Sequence, residues 1–200
     1  TYPELANTPT EQIVFADGYL YAGSLCLALG DIVASAAGAG FEVQIDAEPG
    51  ARRQLFSTAT HSAVFVEVHV DEDLGTIRVT RVVSAVAAGR VVNPKTAASQ
   101  ILGGVVWGVG MALHEEALTD HRLGRIVNHD LAQYHIPVNA DIGDIEVIFV
   151  EENDDIVNEL GSKGVGEIGV VGVAAAVANA VYHATGKRVR ALPITLDKVL

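Results

Sequence analysis

The feature that most constrains the fold is a pair of long alternating segments in the middle of the chain. Residues 63–71 (AVFVEVHVD) and 76–86 (TIRVTRVVSAV) are rich in β-branched side chains, and the acidic turn EDLG joins them. β-Branched residues favour strands, and a period of two places one face of each strand against a core. The pattern therefore predicts a long antiparallel hairpin over these two segments.

A glycine-rich helix is predicted to follow the hairpin over residues 93–118. Asn93 is a candidate N-cap, Pro94 occupies the first turn, and helix-forming residues outweigh the glycines. Each glycine inside a helix costs about 1 kcal/mol relative to alanine, so we expect a neighbour to pack very close to this helix. The pair Gly104 and Gly108 spells GxxxG and suits such close packing of backbones.

The remaining elements are shorter and lead to a fold class. They are a hairpin over 13–21 around Asp17-Gly18, a helix over 24–38 ending at Gly38, strands over 41–48, 145–152 and 189–195, and an alanine-rich helix over 170–186 ending at Gly186. This irregular order predicts an α+β (mixed α/β) fold with largely antiparallel hairpins and packed glycine/alanine-rich helices. A loop or boundary between two lobes is expected near 47–57.

Composition argues against several partners. The 13 basic and 25 acidic residues give a net charge of −12, which argues against nucleic acid and against an anionic membrane surface. The most apolar stretch, 101–113, is too short to span a bilayer, so no membrane segment is predicted. The single Cys26 excludes an internal disulfide, and its apolar neighbours predict a buried side chain. Without an initiating methionine or a signal-peptide pattern, the sequence is expected to be a piece of a longer or processed chain.

Histidines and clustered acids are the usual sources of metal sites, and neither gives a strong pattern here. His114 and His121 are seven residues apart and His129 and His135 are six apart, which does not fit a helical zinc pair, so no metal site is predicted. The acidic run 151–155 is interpreted as a solvated turn. Calcium is a lesser alternative, because the spacing is not that of an EF-hand loop.

The segment 161–172 (GSKGVGEIGVVG) places glycines around one acid, Glu167. Gly164, Gly166 and Gly169 fit the dinucleotide fingerprint G-x-G-x-x-G, but no predicted strand runs into the first glycine and no acid follows at the ribose spacing. Glu167 fits a general base, because glycines permit close approach and the N-terminus of the following helix favours an ionised carboxylate. It also fits a cap for that helix. Spacing alone leaves the general base and the cap open.

Three separated segments resemble the C-terminal part of the molybdenum hydroxylases, the xanthine dehydrogenase and aldehyde oxidoreductase family. They are GRVVNPKTAASQILGGVVWGVGMALHEE, NHDLAQYHIPVNAD and GSKGVGEIGVVGVAAAVANAVYHATGKRVRALPIT, in that order. The likeness runs in register from about residue 55 to the end and is closest to molybdopterin-binding subunits of bacterial aldehyde oxidoreductases. It implies that residues 1–200 are the C-terminal portion of a molybdopterin-binding domain.

The resemblance also implies roles for particular residues. Glu167 matches the family's general base, in a hydroxylation whose oxygen comes from water. Gln100 matches the glutamine that contacts the pterin, and the glycines behind it, Gly103 and Gly104, would permit close approach. The resemblance assigns cofactor binding to Gln100, Lys163, Gly164, Val165 and Gly166.

Cofactors and partners follow from the same resemblance. It implies molybdopterin with molybdenum, expected in the cytosine dinucleotide form, and 2Fe-2S and FAD on other domains or subunits. The expected substrate is a small aldehyde or heterocycle, and the chain alone is expected to be inactive without the remainder of the molybdenum domain. Cytoplasmic location is expected, with periplasmic location by co-export as the alternative. A different class of function, a binding or assembly module that kept the fold without the cofactor, is the competing hypothesis.

Overall fold

The computed structural model describes residues 5, 7–35, 42, 44, 46 and 51–200. The chain divides into two compact units, Thr1–Glu48 and Pro49–Leu200, which are described separately. Gly38 and most of the strand predicted over 41–48 lie outside the described residues. The lobe boundary expected near 47–57 stays a prediction, because residues 47–50 also lie outside them; the following residues, Ala51–Leu55, form a 3₁₀ helix.

The first unit contains a three-stranded antiparallel meander. Its strands are β1 (Ile13–Ala16), β2 (Tyr19–Ala22) and β3 (Leu25–Ala28), and helix α1 (Leu29–Ser35) follows. The predicted first hairpin is confirmed: Asp17 and Gly18 have φ of 52° and 81° and reverse the chain between β1 and β2.

Two predictions for this unit are wrong. Residues 25–28 form β3 rather than the start of a helix, because they pair with β2 along its length, and such pairing overrides local helical spacing. Cys26 is exposed rather than buried. In a strand its side chain points away from the side of Leu25 and Leu27, which are half-buried.

The second unit is built on the predicted long hairpin. β4 (His61–Asp71) pairs antiparallel with β5 (Thr76–Ala87), from His61 opposite Ala87 to Asp71 opposite Thr76, with a bulge at Glu67/Val68. The third strand, β8 (Asp144–Phe149), ends earlier than predicted and pairs parallel with β5. The predicted α+β class is confirmed, although this one pairing in the second unit is parallel.

Helix α2 (Pro94–Leu113) begins as predicted and ends earlier than predicted. The Asn93 side-chain oxygen accepts hydrogen bonds from the amides of Lys95 (3.1 Å) and Thr96 (3.2 Å), which satisfies N-terminal donors of the helix. After Leu113 the chain leaves the helix and forms a short hairpin of β6 (Thr119–Asp120) and β7 (Arg125–Ile126).

The alanine-rich helix is also confirmed. A four-residue helix, α3 (Ile168–Val171), precedes α4 (Val173–Thr185), which ends at Gly186 with φ of 73°. The strand predicted over 189–195 is wrong. Its backbone bonds to a helix end instead, where the Ile194 amide donates to the Ala112 carbonyl at 2.7 Å, and Pro193 has no amide to give to a sheet.

The core lies between the β4–β5–β8 sheet and helices α2 and α4. The fully buried side chains are mainly valines: Val82, Val86, Ile101, Val105, Val109, Val173, Val177 and Val181. Burying one such side chain contributes about 1.5–3 kcal/mol. Two stretches, Pro94–Leu113 and Ile168–Thr185, are long and apolar enough to cross a membrane by length and composition. Their packing against the sheet accounts for that composition equally well.

α2 crosses α3 and α4 at glycines, as the close-packing prediction requires. A Cβ added to Gly104 would lie 2.7 Å from the Gly169 carbonyl carbon, and one added to Gly108 would lie 2.3 Å from Val173 Cβ. A Cβ added to Gly169 would lie 2.7 Å from the Ile101 oxygen. We call Gly104, Gly108 and Gly169 the glycine crossing. No side chain fits there, so glycine sets the distance between these helices.

Candidate active site

The segment 161–167, here the Glu167 loop, is hydrogen-bonded to the end of β5. The Lys163 amide donates to Ala88 O (3.0 Å), the Arg90 amide donates to Gly161 O (2.8 Å), and Ser162 Oγ donates to Arg90 O (2.7 Å). Gly89 has φ of 63°, and a Cβ there would lie 2.0 Å from Gly161 O. The loop and the segment 88–90 are therefore one continuous backbone structure.

Side-chain hydrogen bonds from two other segments also hold the loop. Thr60 Oγ1 donates to the Gly164 carbonyl at 2.7 Å, and the Asn158 side-chain amide donates to the Ser162 carbonyl at 2.7 Å. Val165 is half-buried and packs against the core. The loop is consequently fixed up to Val165, two residues before Glu167.

Lys163 of this loop forms a partly buried cluster of charges with Glu152 and Asp154, here the Lys163 ion cluster. Lys163 Nζ contacts Glu152 Oε1 at 2.5 Å and Asp154 Oδ2 at 3.0 Å, and the Lys163 side chain is only 6% exposed. Glu152 Oε2 also accepts the Gly89 amide at 2.8 Å. The interpretation of 151–155 as a solvated turn is thus wrong at Glu152 and Asp154, which face Lys163 and shield it from solvent.

The electrostatics of this cluster favour the charged forms of all three groups. Hydrogen bonds from the Ile156 amide and then from Lys163 lower the pKa of Asp154 from 3.8 to about 2. The hydrogen bond from Lys163, followed by that from the Gly89 amide, lowers the pKa of Glu152. The bond to Glu152 raises the pKa of Lys163. Two carboxylates and one ammonium leave the cluster with a formal charge of −1 at neutral pH.

A surface cleft of about 400 Å³, here the Gln100 cleft, brings together three of the predicted site residues. Gln100, Lys163 and Val165 line it, together with Arg90 and the N-terminal turns of α2. The Gln100 side chain is exposed and makes no hydrogen bond to any described residue, so its amide donor and acceptor are both available. Gly164, Gly166 and Glu167 belong to the same loop but do not line this cleft.

Glu167 begins α3 with its side chain exposed. Its carboxylate makes no capping hydrogen bond and no ion pair with the described residues. The helix-cap interpretation therefore lacks the bond that defines a cap. The helix that follows is only four residues long, so the expected help from a helix dipole is small as well.

The loop glycines differ from those of the glycine crossing. At Gly164, Gly166 and Gly103 no described heavy atom lies within 4 Å of an added Cβ, so their backbones are open on that side. Gly104 is not open, because it packs on Gly169, so close approach behind Gln100 is available only at Gly103. Within the described residues, no group of three or more His, Cys, Asp or Glu is placed to hold a metal ion.

The sequence profile of one family, the molybdopterin cofactor-binding domain, matches residues 3–143. The chain belongs to this family. The matched range includes Gln100 and ends before the Glu167 loop. Relatives that match nearly the whole chain also support its assignment to this family.

One such relative is the aldehyde oxidoreductase molybdenum-binding subunit PaoC of Escherichia coli (strain K12), which is 47% identical over 95% of this chain and 26% of that subunit. The quinoline 2-oxidoreductase of Pseudomonas putida 86 has a similar structure, with a TM-score of 0.78 and 26% identity over 98% of this chain and 26% of that chain. The structure of the aldehyde oxidoreductase of Desulfovibrio desulfuricans is also similar, with a TM-score of 0.64 and 32% identity over 70% of this chain and 15% of that chain. The chain spans about a quarter of the length of the PaoC subunits that it matches.

The open loop fits a molybdopterin cofactor. A flat pterin needs hydrogen-bonding partners along its edge and close approach of backbone. The Gln100 amide, unpaired among the described residues, meets the first need, and the open backbones of Gly103, Gly164 and Gly166 meet the second. Lys163 also lines the cleft, whereas its ammonium binds two carboxylates.

Sequence reasoning missed Glu152 and Asp154. A signal was present: the two acids flank Asn153 within a few residues of the end of β8, so they share one side of an extended chain, like residues of a strand. Arg90 was missed as well, and only its position beside the predicted N-cap could have suggested that it lines the cleft.

Proposed function

We propose that this chain is part of the molybdenum-cofactor-binding subunit of an aldehyde oxidoreductase and that Glu167 is its general base. The observation that carries the proposal is the exposed, uncapped Glu167 carboxylate at the end of a loop whose preceding residues line the Gln100 cleft. Similarity to aldehyde oxidoreductase subunits supports the choice of substrate class.

The proposed reaction converts an aldehyde and water into a carboxylic acid, two protons and two electrons. The molybdenum cofactor, when bound, supplies the two-electron acceptor and the Lewis acid that makes a water-derived oxygen acidic. A carboxylate oxygen of Glu167 takes the proton of that oxygen and so completes the nucleophile. Because no described group competes for the Glu167 carboxylate, both of its oxygens are available to accept it.

The other residues bind and orient. The Gln100 amide donates and accepts hydrogen bonds at the pterin edge, and Gly164 and Gly166 let the cofactor lie against the loop backbone. Val165 lies between Gly164 and Gly166 and is half-buried against the core, so it fixes the position of the loop relative to the core.

The finer parts of the assembly are also proposals. We propose that the cofactor is in the cytosine dinucleotide form. We propose that the two electrons leave through 2Fe-2S and FAD centres on partner domains or subunits. The remainder of the molybdenum domain is proposed to complete the pocket. We propose a cytoplasmic location, with export alongside a partner subunit as the alternative; fractionation of cells that produce the assembled enzyme distinguishes the two.

The test compares Glu167→Gln with wild type in the complete, cofactor-loaded enzyme. We expect unchanged molybdenum content and a loss of aldehyde-dependent dye reduction of about 10²–10⁴-fold, the usual contribution of a general base. The control is Glu159→Gln, an exposed acid of the same region, which is expected to retain activity. Full activity in Glu167→Gln would show that Glu167 is not the base.

A further inference from the structure

We propose that Glu152 and Asp154 act through Lys163 as positioning residues that set the place of Glu167. The inference rests on the proposed role of Glu167 as base. It assigns to Lys163 a role different from cofactor binding: the side chain holds the Glu167 loop in place and does not contact the cofactor with its charge.

The geometry of the Lys163 ion cluster supports this role. Lys163 Nζ is bound on two sides, by Glu152 at 2.5 Å and Asp154 at 3.0 Å, and is 6% exposed. The two carboxylates use two of its three N–H donors, and its low exposure leaves little access for a phosphate or pterin oxygen. Asp154 in turn is held by the amides of Ile156 (2.8 Å) and Val157 (3.0 Å), so this partner is itself fixed.

The cluster connects three backbone segments. Glu152 binds Lys163 through one oxygen and the Gly89 amide through the other, at 2.8 Å. Lys163 also donates its own amide to Ala88. One carboxylate therefore links the segment after β8, the segment after β5 and the Glu167 loop.

The loop beyond Lys163 has few other constraints. Gly164 and Gly166 have no side chains and no described neighbour at the position of a Cβ, and Glu167 makes no side-chain bond. The place of Glu167 therefore depends on the fixed points before it, which are Lys163, the Thr60 bond to Gly164, and Val165. After it, the Glu167 carbonyl accepts the Val170 amide at 3.1 Å. Removing the Lys163 charge should loosen the first of the fixed points.

The experiment uses the complete, cofactor-loaded enzyme with Lys163→Met, Lys163→Arg and Glu152→Gln. Lys95→Met serves as the matched control, because Lys95 is exposed at the start of α2 and makes no ion pair with a described residue. The readouts are molybdenum per subunit, kcat and KM for an aldehyde, and hydrogen–deuterium exchange of a peptide spanning 161–168.

For Lys163→Met and Glu152→Gln we expect faster exchange in 161–168, molybdenum content within about twofold of wild type, and kcat per bound molybdenum reduced by roughly 10²-fold, since about 1 Å of misplacement has an effect of that size. KM should change little, because binding groups are untouched. Lys163→Arg should recover part of kcat, since a cation can still bind both carboxylates.

Three results would overturn the proposal: exchange in 161–168 unchanged in both charge-removing variants, unchanged kcat per molybdenum despite faster exchange, or loss of molybdenum in proportion to activity. The last would make Lys163 a cofactor-binding residue. Failure of the proposed function is seen separately, as full turnover in Glu167→Gln, while the exchange measurement still reports whether the ion cluster fixes the loop.

Discussion

The segment 161–172 contains glycines of two opposite kinds. Gly169 is buried against α2, and a side chain there would meet backbone atoms of Ile101. Gly164 and Gly166, in contrast, have no described neighbour within 4 Å of an added Cβ. The first kind of glycine serves the packing of this chain. Nothing described packs against the Cβ positions of Gly164 and Gly166, so we infer that they leave room for a group that approaches the loop from outside the chain.

The largest expected effect comes from filling the glycine crossing. Gly169→Ala should destabilise the complete subunit by about 3 kcal/mol, the upper end of overpacking effects, because the clashing atoms are backbone and cannot rotate away. Thermal unfolding of the subunit prepared without cofactor measures this. Gly103→Ala, an open glycine on the neighbouring helix α2, is the control and should be neutral or stabilising by up to about 1 kcal/mol. Equal effects at both positions would contradict the comparison.

Gly166→Ala tests the open end. Its backbone is not in the left-handed region, so alanine should leave the thermal midpoint of the cofactor-free subunit unchanged. We expect molybdenum content under limiting cofactor to fall, with affinity weakened about tenfold, which corresponds to about 1.4 kcal/mol. Gly30→Ala, an open glycine of α1, is the control. Normal loading of Gly166→Ala would mean that the cofactor does not approach this backbone.

Acid should weaken the Lys163 ion cluster and spare the glycine crossing, whose three glycines have no titratable side chain. The pKa of Asp154 is lowered from 3.8 to about 2 in the folded protein, so its stabilising contribution is complete above about pH 4 and is lost as the pH falls through about 2. We expect wild type to have a higher thermal midpoint than Asp154→Asn at pH 6, with the difference shrinking towards pH 2.

The control for that measurement is Asp155→Asn. Asp155 is exposed, and among the described residues it pairs only with the exposed Arg52 at 3.2 Å, a contact of little energetic value. Its thermal midpoint should follow wild type at every pH. A difference between wild type and Asp154→Asn that stayed constant with pH would show that the ion cluster contributes nothing through ionisation.

The smallest effect is expected inside the sealed core. Ser84 is fully buried on β5, and its hydroxyl has no partner among the described residues. Removing an unpaired buried hydroxyl relieves its desolvation, so Ser84→Ala should be neutral or stabilising by up to about 1 kcal/mol in urea unfolding. A clear loss of stability would indicate that the hydroxyl is bonded after all.

Local patterns predicted the elements of the second unit well, because each carried its own signal. The alternation of 63–86 and the capped start of α2 at Asn93 reflect short-range physics. The helix predicted over 24–38 failed at residues 25–28, because pairing with β2 decides that segment. The strand predicted over 189–195 failed because its partner is a helix end. The residues of each segment do not reveal which element it will pair with.

The candidate site rests on the sequence in part. The glycines around Glu167 drew attention to the loop now proposed as part of the site, and family resemblance supplied the roles proposed for Glu167 and Gln100. The position of Lys163 could not be predicted, because its two carboxylates lie about ten residues earlier and reach it only through the fold. The sequence alone does not tell a packed glycine from an open one. Gly103 and Gly104 are adjacent, yet of the two only Gly104 contacts a described neighbouring helix, at Gly169.

The parallel pairing of β8 with β5 has a consequence for how this site tolerates variation. Parallel neighbours end at the same edge of a sheet, so the residues after each strand, Gly89 and Glu152, meet there whatever the length of the chain between them. The intervening chain includes α2, which packs in the core, and then the exposed turn 121–124 between β6 and β7. Insertions at this turn should therefore be tolerated, with the meeting point of the two strand ends preserved.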